Sequence, residues 1–446
     1  MTTVITYGTF DLFHRGHQRL LERARALGDR LLVGVTTSNY DETRGKLNVS
    51  QTLPERVEAV RQTGLADEII IEEYEGQKIN DIQQYGVDIF AIGSDWLGKF
   101  DYLKDYCEVI YLDRTQGVSS TQLRNDSSGI LRLGIIGAGR IATRFVTESK
   151  YVSGVNVEAV VSLHGERARA FAAKHEIQTA YETVDELLDQ VDAVYIAAPH
   201  DTHYAYAEKA LRKKIHVLCE KPLVLSKAEA ETLFELARAQ DVILLEAVKT
   251  AFSTGFQRMI AVARSGSIGK IRSVDATFTK LVASGREYDE GHGGSISELA
   301  TYPLLAALKL LGDDYTRLDT VSLVPDGCAI DTFSQINLLY PEALATLRVG
   351  LGVKAEGDLM MAGTKGYVYV PAPWWLTEYF EVRFEDPHKT QKYFYKFEGD
   401  GLRYELAEFA RLIKDKVGES YKLRARDSIN LAAMIEAARA NATILK

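Results

Sequence analysis

The first 126 residues alternate short apolar runs with stretches of helical periodicity. The apolar runs predict strands at Val4–Tyr7, Leu31–Val35, Ile69–Ile71, Asp88–Gly93 and Val109–Leu112. The stretches between them predict helices, among them His17–Leu27, Leu53–Thr63 and Ile79–Tyr85. Near-continuous apolar strands separated by helices are typical of a parallel sheet that is covered on both faces.

A second region of this kind begins near residue 130, and its pattern changes near residue 268. Its first strands are predicted at Ile130–Ile136, Val157–Val161, Ala193–Ala197, His216–Cys219 and Ile243–Glu246. Beyond residue 268 apolar and polar residues alternate, which predicts a half-exposed, mostly antiparallel sheet. Its strands are predicted at Ile271–Lys280, Asp331–Leu339, Ala345–Leu351, Tyr367–Val370, Glu381–Phe384 and Lys392–Phe397. The tail, Asp427–Ile444, predicts an amphipathic helix.

These patterns predict an α/β chain with two Rossmann-like domains followed by an α+β domain with a large, mostly antiparallel sheet. The predicted domains are residues 1–126, 131–250 and 251–446, with a linker at 127–130 in the small, polar stretch after Asn125. The length of 446 residues suits two or three domains.

The composition narrows the classes of function. A net charge of -9 argues against non-specific nucleic-acid binding, which needs a basic face. The scattered cysteines Cys107, Cys219 and Cys328 lack metal-ligand spacing, so we predict reduced thiols and no metal site. No secretory signal and no apolar stretch of about 20 residues is visible. We therefore expect a cytoplasmic homo-oligomer that acts on small molecules, without nucleic-acid or membrane partners.

The segment from Tyr7 to His17 carries the first candidate chemistry. It reads Tyr-Gly-Thr-Phe-Asp-Leu-Phe-His-Arg-Gly-His and follows a predicted strand. The imidazoles of His14 and His17 can donate hydrogen bonds to phosphate oxygens on which charge builds during attack at the α-phosphate of a nucleotide. Gly16 lets the backbone approach, and the N-terminus of the next helix attracts the same anion.

The segment resembles the His-x-Gly-His nucleotidyltransferase superfamily and, within it, glycerol-3-phosphate cytidylyltransferases. The resemblance extends over residues 1 to about 124 and includes Asp95–Asp101 and Arg114–Thr121. It implies CTP, with Mg²⁺ bound to it, and the catalytic residues His14, His17 and Lys46; a solvated loop lysine is the alternative for Lys46. The implied nucleotide-binding residues are Thr9, Phe10, Asp11, Gly16, Arg114, Ser119, Ser120 and Thr121.

Two departures from these relatives concern the acceptor. Gly64 stands where relatives have an arginine, and Ser94 replaces an acidic residue before Trp96. These changes favour an acceptor larger than glycerol phosphate.

A second motif, Gly137-Ala-Gly139-Arg-Ile-Ala142, follows a strand and opens a helix, which is the setting of a dinucleotide-binding site. An NAD-binding site is expected to carry an acidic residue at the end of the second strand. No carboxylate ends Val160–His164, and Arg140 and Arg167 lie nearby in the sequence, which favours NADP(H). The alternative is NAD(H), bound through Glu166 or a water.

Residues from Leu131 onward resemble the Gfo/Idh/MocA oxidoreductase family. The resemblance depends on Ala197–Pro199, His203, Val217–Pro222, Gly293–Pro303, Gly363–Gly366 and Tyr404–Phe409. It implies catalysis by Lys221 and Tyr302; a half-buried helix tyrosine is the alternative for Tyr302. The predicted cofactor-binding residues are Gly137, Gly139, Arg140, Ile141, Ser162, Arg167, Pro199, His203 and Glu220.

The substrate pocket departs from the family pattern, because Lys249-Thr-Ala-Phe252 stands where Met-Thr-Arg-Phe is usual and Glu298-Leu-Ala300 where Asp-x-Gly is usual. We predict that Lys249, with Lys280 or Arg286, holds a substrate phosphate and that Glu298 lines the pocket. Solvated surface lysines are the alternative.

Together the motifs predict a bifunctional enzyme. One half reduces a ketose phosphate with NADPH, for example fructose 6-phosphate to glucitol 6-phosphate, and the other converts the product to a CDP-polyol for surface polysaccharide. In one alternative the second half oxidises or epimerises an unrelated sugar. In another it is a non-catalytic module for cofactor sensing or oligomerisation.

Overall fold

The computed structural model describes residues 1–37, 49, 51–74, 76–112, 130–282, 284–290 and 293–446. The chain divides into two compact units. The first comprises Met1–Leu131 and Lys150–Asn156, and the second comprises Arg132–Ser149 and Val157–Lys446. No helix among the described residues is both long enough and apolar enough to span a bilayer.

The first unit is built on a five-stranded parallel sheet with the order β3-β2-β1-β4-β5. Its strands are β1 (Thr3–Gly8), β2 (Arg30–Thr36), β3 (Glu68–Glu72), β4 (Ile89–Gly93) and β5 (Glu108–Leu112). Its helices are α1 (Arg15–Arg25), α2 (Leu53–Gln62) and α3 (Gln77–Tyr85). Alternate residues of β1 enter different cores, Val4 on one face and Ile5 on the other. The sheet is therefore covered on both faces, as its apolar strands predict.

The second unit begins with a six-stranded sheet of order β11-β10-β9-β6-β7-β8. Its strands are β6 (Leu131–Ile136), β7 (Val155–Val161), β8 (Thr179–Tyr181), β9 (Ala193–Ile196), β10 (His216–Glu220) and β11 (Leu244–Ala247). Its helices are α4 (Arg140–Ser149), α5 (Gly165–His175), α6 (Val184–Leu188), α7 (His203–Arg212), α8 (Lys227–Gln240) and α9 (Lys249–Phe252). The pairs β6–β9, β7–β8, β9–β10 and β10–β11 are parallel.

A nine-stranded sheet follows, with the order β19-β18-β17-β16-β12-β15-β14-β13-β20. Its strands are β12 (Ile271–Thr279), β13 (Arg317–Leu323), β14 (Phe333–Leu339), β15 (Leu344–Gly350), β16 (Leu359–Gly363), β17 (Tyr367–Val370), β18 (Tyr379–Arg383), β19 (Gln391–Phe394) and β20 (Ala442–Leu445). Its pairs are antiparallel except β12–β15 and β13–β20. The remaining helices are α10 (Thr254–Arg264), α11 (Ser295–Leu299), α12 (Thr301–Leu311), α13 (Leu402–Asp415) and α14 (Ala425–Ala440). The predicted fold class is confirmed.

The C-terminal tail differs from its prediction as one helix. Helix α14 ends at Ala440, Asn441 forms its C-cap, and Ala442–Leu445 pairs in parallel with β13. Thr443 and Ile444 are β-branched and favour this extended conformation. Strands β8, β13 and β16 were likewise not predicted.

Asp331, at the start of the β14 region, fixes the N-terminus of α11. Its carboxylate accepts hydrogen bonds from Ile296 N–H at 2.9 Å and from the Ser334 hydroxyl at 2.8 Å. Gly294 precedes the helix with φ +102°, and a Cβ atom there would lie 2.2 Å from Asp331 Oδ1. The glycine and the aspartate together determine where α11, and then α12, begins.

A buried ion pair joins α4 to α13. Arg403 Nη2 lies 2.7 Å from Glu148 Oε1, and Arg403 Nε lies 3.0 Å from Glu148 Oε2. The two side chains are only 4% and 7% exposed. Such a bidentate contact satisfies both charges, and loss of either partner would leave the other buried without compensation.

We expect Glu148→Gln to lower the free energy of unfolding of the second unit by about 3 kcal/mol, because Arg403 loses its counter-ion. The measurement is denaturant unfolding followed by the fluorescence of Trp374 and Trp375, in a Trp96→Phe background that removes the third tryptophan. Arg144→Ala is the matched control, since the half-exposed Arg144–Asp400 pair, at 3.6 Å, should contribute less than about 1 kcal/mol. Equal midpoints for the two variants would contradict a stabilising role of the buried pair.

Candidate active sites

The His-x-Gly-His segment forms the N-terminal cap of α1. His14 Nδ1 accepts a hydrogen bond from Gly16 N–H at 3.0 Å, and His17 Nδ1 accepts one from His14 N–H at 3.4 Å. A neutral imidazole whose Nδ1 atom is an acceptor carries its proton on Nε2. The cap therefore favours, in both rings, the tautomer that donates hydrogen bonds through Nε2.

The geometry of this cap also explains Gly16. The His14 and His17 rings are stacked, with centroids 3.9 Å apart and planes inclined by 23°. A Cβ atom on Gly16 would lie 2.8 Å from His14 Cε1, so a larger residue would displace the ring. Because His14 is the N-cap, α1 begins at Arg15 and not at the predicted His17.

Phe10 supports the histidines from the core. Its side chain is fully buried, and its ring centroid lies 5.4 Å from that of His17. Phe10 and Leu12 have φ values of +53° and +46°, in the left-handed region that residues with side chains rarely adopt. The Phe10 side chain packs against His17, so a nucleotide contact from this residue would have to come from its backbone.

Asp11 and Thr9 are tied to the start of α2. Asp11 Oδ1 accepts a hydrogen bond from Gln51 N–H at 2.8 Å. Arg56, which is fully buried, donates to the carbonyl oxygens of Thr9 and Thr36, each at 2.7 Å. Sequence reasoning missed Arg56, although it lies on the same helix face as Leu53 and Val60, where a solvated arginine is not expected.

A polar cluster that was also missed lies where β1 and β3 end. Tyr7 Oη donates to Asp81 Oδ2 at 2.7 Å, and the Lys78 ammonium pairs with Glu72. Lys78 Nζ lies 4.5 Å from the centroid of the Tyr7 ring. Burial, with the hydrogen bond to Asp81, raises the pKa of Tyr7 well above its usual value.

Several predicted residues of this site lie outside the described part of the chain: Lys46, Arg114, Ser119, Ser120 and Thr121. Within the described part, an open pocket of about 490 Å³ borders the start of α1. It is lined by Phe13, His14, Arg15, Gln18, Arg19 and Glu22.

The second site begins at the glycine turn after β6. Gly137 has φ +113°, and a Cβ atom there would lie 2.4 Å from the Ala197 carbonyl oxygen, so only glycine fits this turn. A Cβ atom on Gly139 would meet nothing within 4 Å, which leaves open space before α4. This space at a helix N-terminus fits the pyrophosphate of a dinucleotide.

An open pocket of about 560 Å³ lies beyond β7, and its lining residues are Leu163, His164, Gly165, Glu166 and Arg167. Ser162, between this pocket and β7, is half-buried, as is Ile141 in the first turn of α4. Arg140, predicted to contact the cofactor, forms an ion pair with Glu287 at 3.1 Å.

His203, which follows Pro199 by four residues, connects two backbone segments, and its cofactor contact stays a prediction. Its ring is fully buried, with Nδ1 2.9 Å from the Pro222 carbonyl oxygen and Nε2 3.0 Å from that of Ala198. Burial lowers the pKa of His203. These contacts connect the turn after β9 to the residue that follows Lys221.

Lys221 and Tyr302 come together although 80 residues separate them in sequence. Lys221 Nζ donates to the Glu298 carbonyl oxygen at 3.0 Å and lies 5.8 Å from the Tyr302 ring centroid. Burial lowers the pKa of Lys221, and the carboxylates of Glu298 and Glu220 oppose this shift. Burial, followed by the charge of Glu220, raises the pKa of Tyr302 well above its usual value. A neutral phenol beside an ammonium is a competent proton donor.

Glu220 lies directly behind Lys221. Its Oε1 atom accepts from Tyr195 Oη at 2.5 Å, and its Oε2 atom accepts from Lys221 N–H at 3.2 Å. Burial raises the pKa of Glu220, and the charge of Lys221 counteracts this shift. Glu220 therefore contacts the catalytic candidate Lys221 from the end of β10, and its cofactor contact stays a prediction.

Each predicted substrate-binding cation faces a carboxylate. Lys280 Nζ lies 3.3 Å from Glu287 Oε1, and Arg286 Nη2 lies 4.0 Å from Glu298 Oε2. Burial lowers the pKa of Lys249, and the carboxylate of Glu405 is the strongest influence against this shift.

Comparisons with known proteins agree with this division of the chain. The cytidylyltransferase-like family model matches residues 5–128. The glycerol-3-phosphate cytidylyltransferase of Bacillus spizizenii is 49% identical over 130 residues, which are 29% of this chain and 100% of that protein. The first unit is thus similar to complete enzymes of that type.

The model of the Gfo/Idh/MocA oxidoreductase family, with its NAD-binding Rossmann fold, matches residues 131–248. The trans-1,2-dihydrobenzene-1,2-diol dehydrogenase of Danio rerio is 27% identical over 323 residues, 69% of this chain and 96% of that enzyme. A 3-ketoreductase from Actinomadura kijaniata, solved with NADP and TDP-benzene, shares the fold with a TM-score of 0.65 at 24% identity. That match covers 71% of this chain and 99% of the reductase. The chain therefore belongs to the cytidylyltransferase-like family through residues 5–128 and to the Gfo/Idh/MocA oxidoreductase family through residues 131–248.

Proposed function

We propose that the chain is a bifunctional enzyme that makes a CDP-polyol in the cytoplasm. Its second unit reduces a ketose phosphate with NADPH, and its first unit transfers CMP from CTP to the resulting polyol phosphate and releases pyrophosphate. Fructose 6-phosphate and glucitol 6-phosphate are the proposed ketose and polyol, and surface polysaccharide is the proposed destination. The observation that carries the reductase half is the position of Lys221 Nζ, which lies 5.8 Å from the ring centroid of the buried Tyr302.

The transferase half follows from the α1 cap. An oxygen of the polyol phosphate attacks the α-phosphorus of CTP, and the bond from that phosphorus to the bridging oxygen of pyrophosphate breaks. Charge grows on the non-bridging oxygens, where Nε2 donors of His14 and His17 and the α1 N-terminus stabilise it. Mg²⁺ would arrive as part of the CTP complex.

The reductase half uses a proton donor in a buried setting. NADPH, when bound, would supply a hydride to the carbonyl carbon. Tyr302 holds the proton for the carbonyl oxygen, and the Lys221 ammonium stabilises the developing alkoxide and the phenolate that remains. Gly137, Gly139 and the first turn of α4 would hold the dinucleotide.

NADPH is proposed over NADH because of the residues beyond β7. Leu163 and His164 stand where an NAD-binding site has a carboxylate, and Arg167 lines the adjoining pocket. An arginine there can pair with a 2′-phosphate. The NADP-bound reductase of similar fold is consistent with this choice.

A second candidate function keeps the first unit's chemistry and assigns the rest differently. Cytidylyl transfer would go to glycerol phosphate or another polyol phosphate, and the second unit would oxidise an unrelated sugar or sense a cofactor. The named activity of the cytidylyltransferase relatives favours the glycerol acceptor. The Gly64 and Ser94 departures favour the larger one.

The direct test measures oxidation of NADPH and of NADH across ketose phosphates of three to seven carbons, with and without CTP and Mg²⁺. We expect NADPH oxidation with one ketose phosphate and CTP-dependent appearance of its CDP-polyol. CMP transfer to a supplied polyol phosphate, without oxidation of either cofactor by any ketose phosphate, would instead favour the second candidate.

We expect His14→Asn to lower the rate of CMP transfer by about 10²–10³-fold, because it removes one donor to the transition state. Asparagine is a good N-cap, so this variant keeps α1 intact, whereas His14→Ala should also lose about 1 kcal/mol of stability. Steady-state transfer from CTP is the measurement, and unchanged ketose-phosphate reduction is the internal control. Transfer at the wild-type rate in His14→Asn would show that the ring serves only the cap.

We expect Lys221→Ala and Tyr302→Phe to lower kcat for ketose-phosphate reduction by about 10²–10⁴-fold, since proton transfer and alkoxide stabilisation are lost. CMP transfer in the same preparations should stay at the wild-type rate, which controls for the enzyme concentration. Undiminished NADPH oxidation in Lys221→Ala would contradict the catalytic assignment of this site.

A further inference from the structure

A buried acid that the proposed mechanism does not use lies on α13. Glu405 is fully buried, and neither of its carboxyl oxygens has a hydrogen-bond partner among the described residues. Its helix packs against α4, α9, β10 and β11, the elements that end at the reductase site. A carboxylate without partners in such a place is costly, whereas a neutral carboxyl is tolerated.

The titratable groups that influence Glu405 come from the surrounding elements. They are Glu148 from α4, Tyr195 from β9, Glu220 from β10, Lys249 from α9 and Tyr302 from α12. Glu148 is held by Arg403, and Glu246 of β11 accepts from Leu223 N–H at 2.9 Å. Among the neighbouring charges, those of Glu220 and Lys249 have the largest effects on the pKa of Glu405.

Glu220 and Glu405 form an unequal pair of acids. Glu220 receives hydrogen bonds from Tyr195 Oη and Lys221 N–H and faces the Lys221 ammonium, and all three contacts favour its ionised form. Glu405 receives no hydrogen bond from the described residues. Two neighbouring buried carboxyls resist double ionisation, so one proton is retained by the pair, and the less solvated partner keeps it.

We propose that Glu405 is a positioning residue of the reductase site that holds a proton and thereby leaves Glu220 ionised opposite Lys221. The proposed effect of Glu405 on catalysis rests on the proposed reductase function. The proposed protonation of Glu405 does not depend on that function. Burial, with the charge of Glu220, raises the pKa of Glu405 well above its usual value, in agreement with the geometry. Ionisation of Glu405 would place a second negative charge near Tyr302 and make its phenol a poorer acid.

The first test is independent of any substrate. Infrared difference spectra of the full chain in D₂O at neutral pH, wild type minus Glu405→Gln, should show the carbonyl stretch of a neutral carboxylic acid. Asp415→Asn is the matched control, because Asp415 is an exposed acid on the same helix and should give a carboxylate band. A carboxylate band for Glu405 would overturn the proposal, whether or not the chain reduces a ketose phosphate.

The second test is the pH profile of ketose-phosphate reduction. In Glu405→Gln, which mimics the neutral acid, the part of the alkaline decline of kcat that ionisation of Glu405 causes should be lost, because no second charge forms near Tyr302. A merely structural role would lower kcat by the same factor at every pH, and an unshifted profile would refute the positioning role. If no ketose phosphate is reduced, the proposed function fails, and the infrared band alone decides the protonation of Glu405.

Discussion

The Lys221 ammonium is partly shielded from water, which lowers its pKa, and the second unit holds the charge there by surrounding it with compensating groups. The Glu298 carbonyl oxygen accepts a hydrogen bond from Lys221 Nζ at 3.0 Å. The Glu220 carboxylate lies at the end of β10, the strand that Lys221 directly follows. Both partners need exact placement, since a misplaced acceptor would leave the charge uncompensated. Asp331 positions Glu298 because it fixes the start of α11. His203 positions Lys221 because it contacts the carbonyl oxygen of the next residue, Pro222. The glycine at 294 is a consequence of the same constraint, because Asp331 occupies the space of a side chain.

The first unit achieves comparable precision with backbone groups. His14 and His17 are fixed by the peptide N–H groups that a helix N-terminus leaves unpaired, so helix formation and choice of tautomer are one event. Phe10 fills the space beneath His17 at the expense of an unfavourable φ, which the surrounding contacts must hold in place. Arg56 binds the ends of β1 and β2 to the loop before α2, so the histidine segment starts from a fixed backbone. The buried Arg56 provides positioning, whereas the partly exposed Lys221 is proposed to act chemically.

The sequence could reveal the two chemistries because each depends on local spacing. The histidine motif and Gly137-Ala-Gly139 each lie between a strand and a helix. The hydrophobic periodicity of the sequence predicts the strand and the helix in each case. It could not reveal what depends on distant partners. Ala442–Leu445 pairs with β13, which lies more than a hundred residues away in the sequence. The sequence near Ala442 gives no sign of this pairing, so its helical pattern predicted a helix.

Buried polar residues were harder still to predict. Glu405 looks like an ordinary helix residue in sequence, and only the packing around it shows that it is removed from water. For Arg56 the apolar helix face that it shares with Leu53 and Val60 was the one available signal. Asp11 and His203 were recognised, but as ligand contacts. In the structure both residues hold backbone segments together, and their ligand contacts stay predictions.

Charge balance links the buried acid to the kind of substrate proposed. Lys280 is opposed by Glu287, and Lys221 by Glu220, so neither cation is free to attract an anion without giving up a carboxylate. Lys249 is different, because its strongest carboxylate neighbour is Glu405. If Glu405 is neutral, Lys249 loses that neighbour and gains affinity for an external anion. A phosphate on the ketose is such an anion, and its binding would in turn disfavour ionisation of Glu405. The proton on Glu405 would then have two effects. It would leave Glu220 ionised opposite Lys221, and it would leave Lys249 available to bind the phosphate of the substrate.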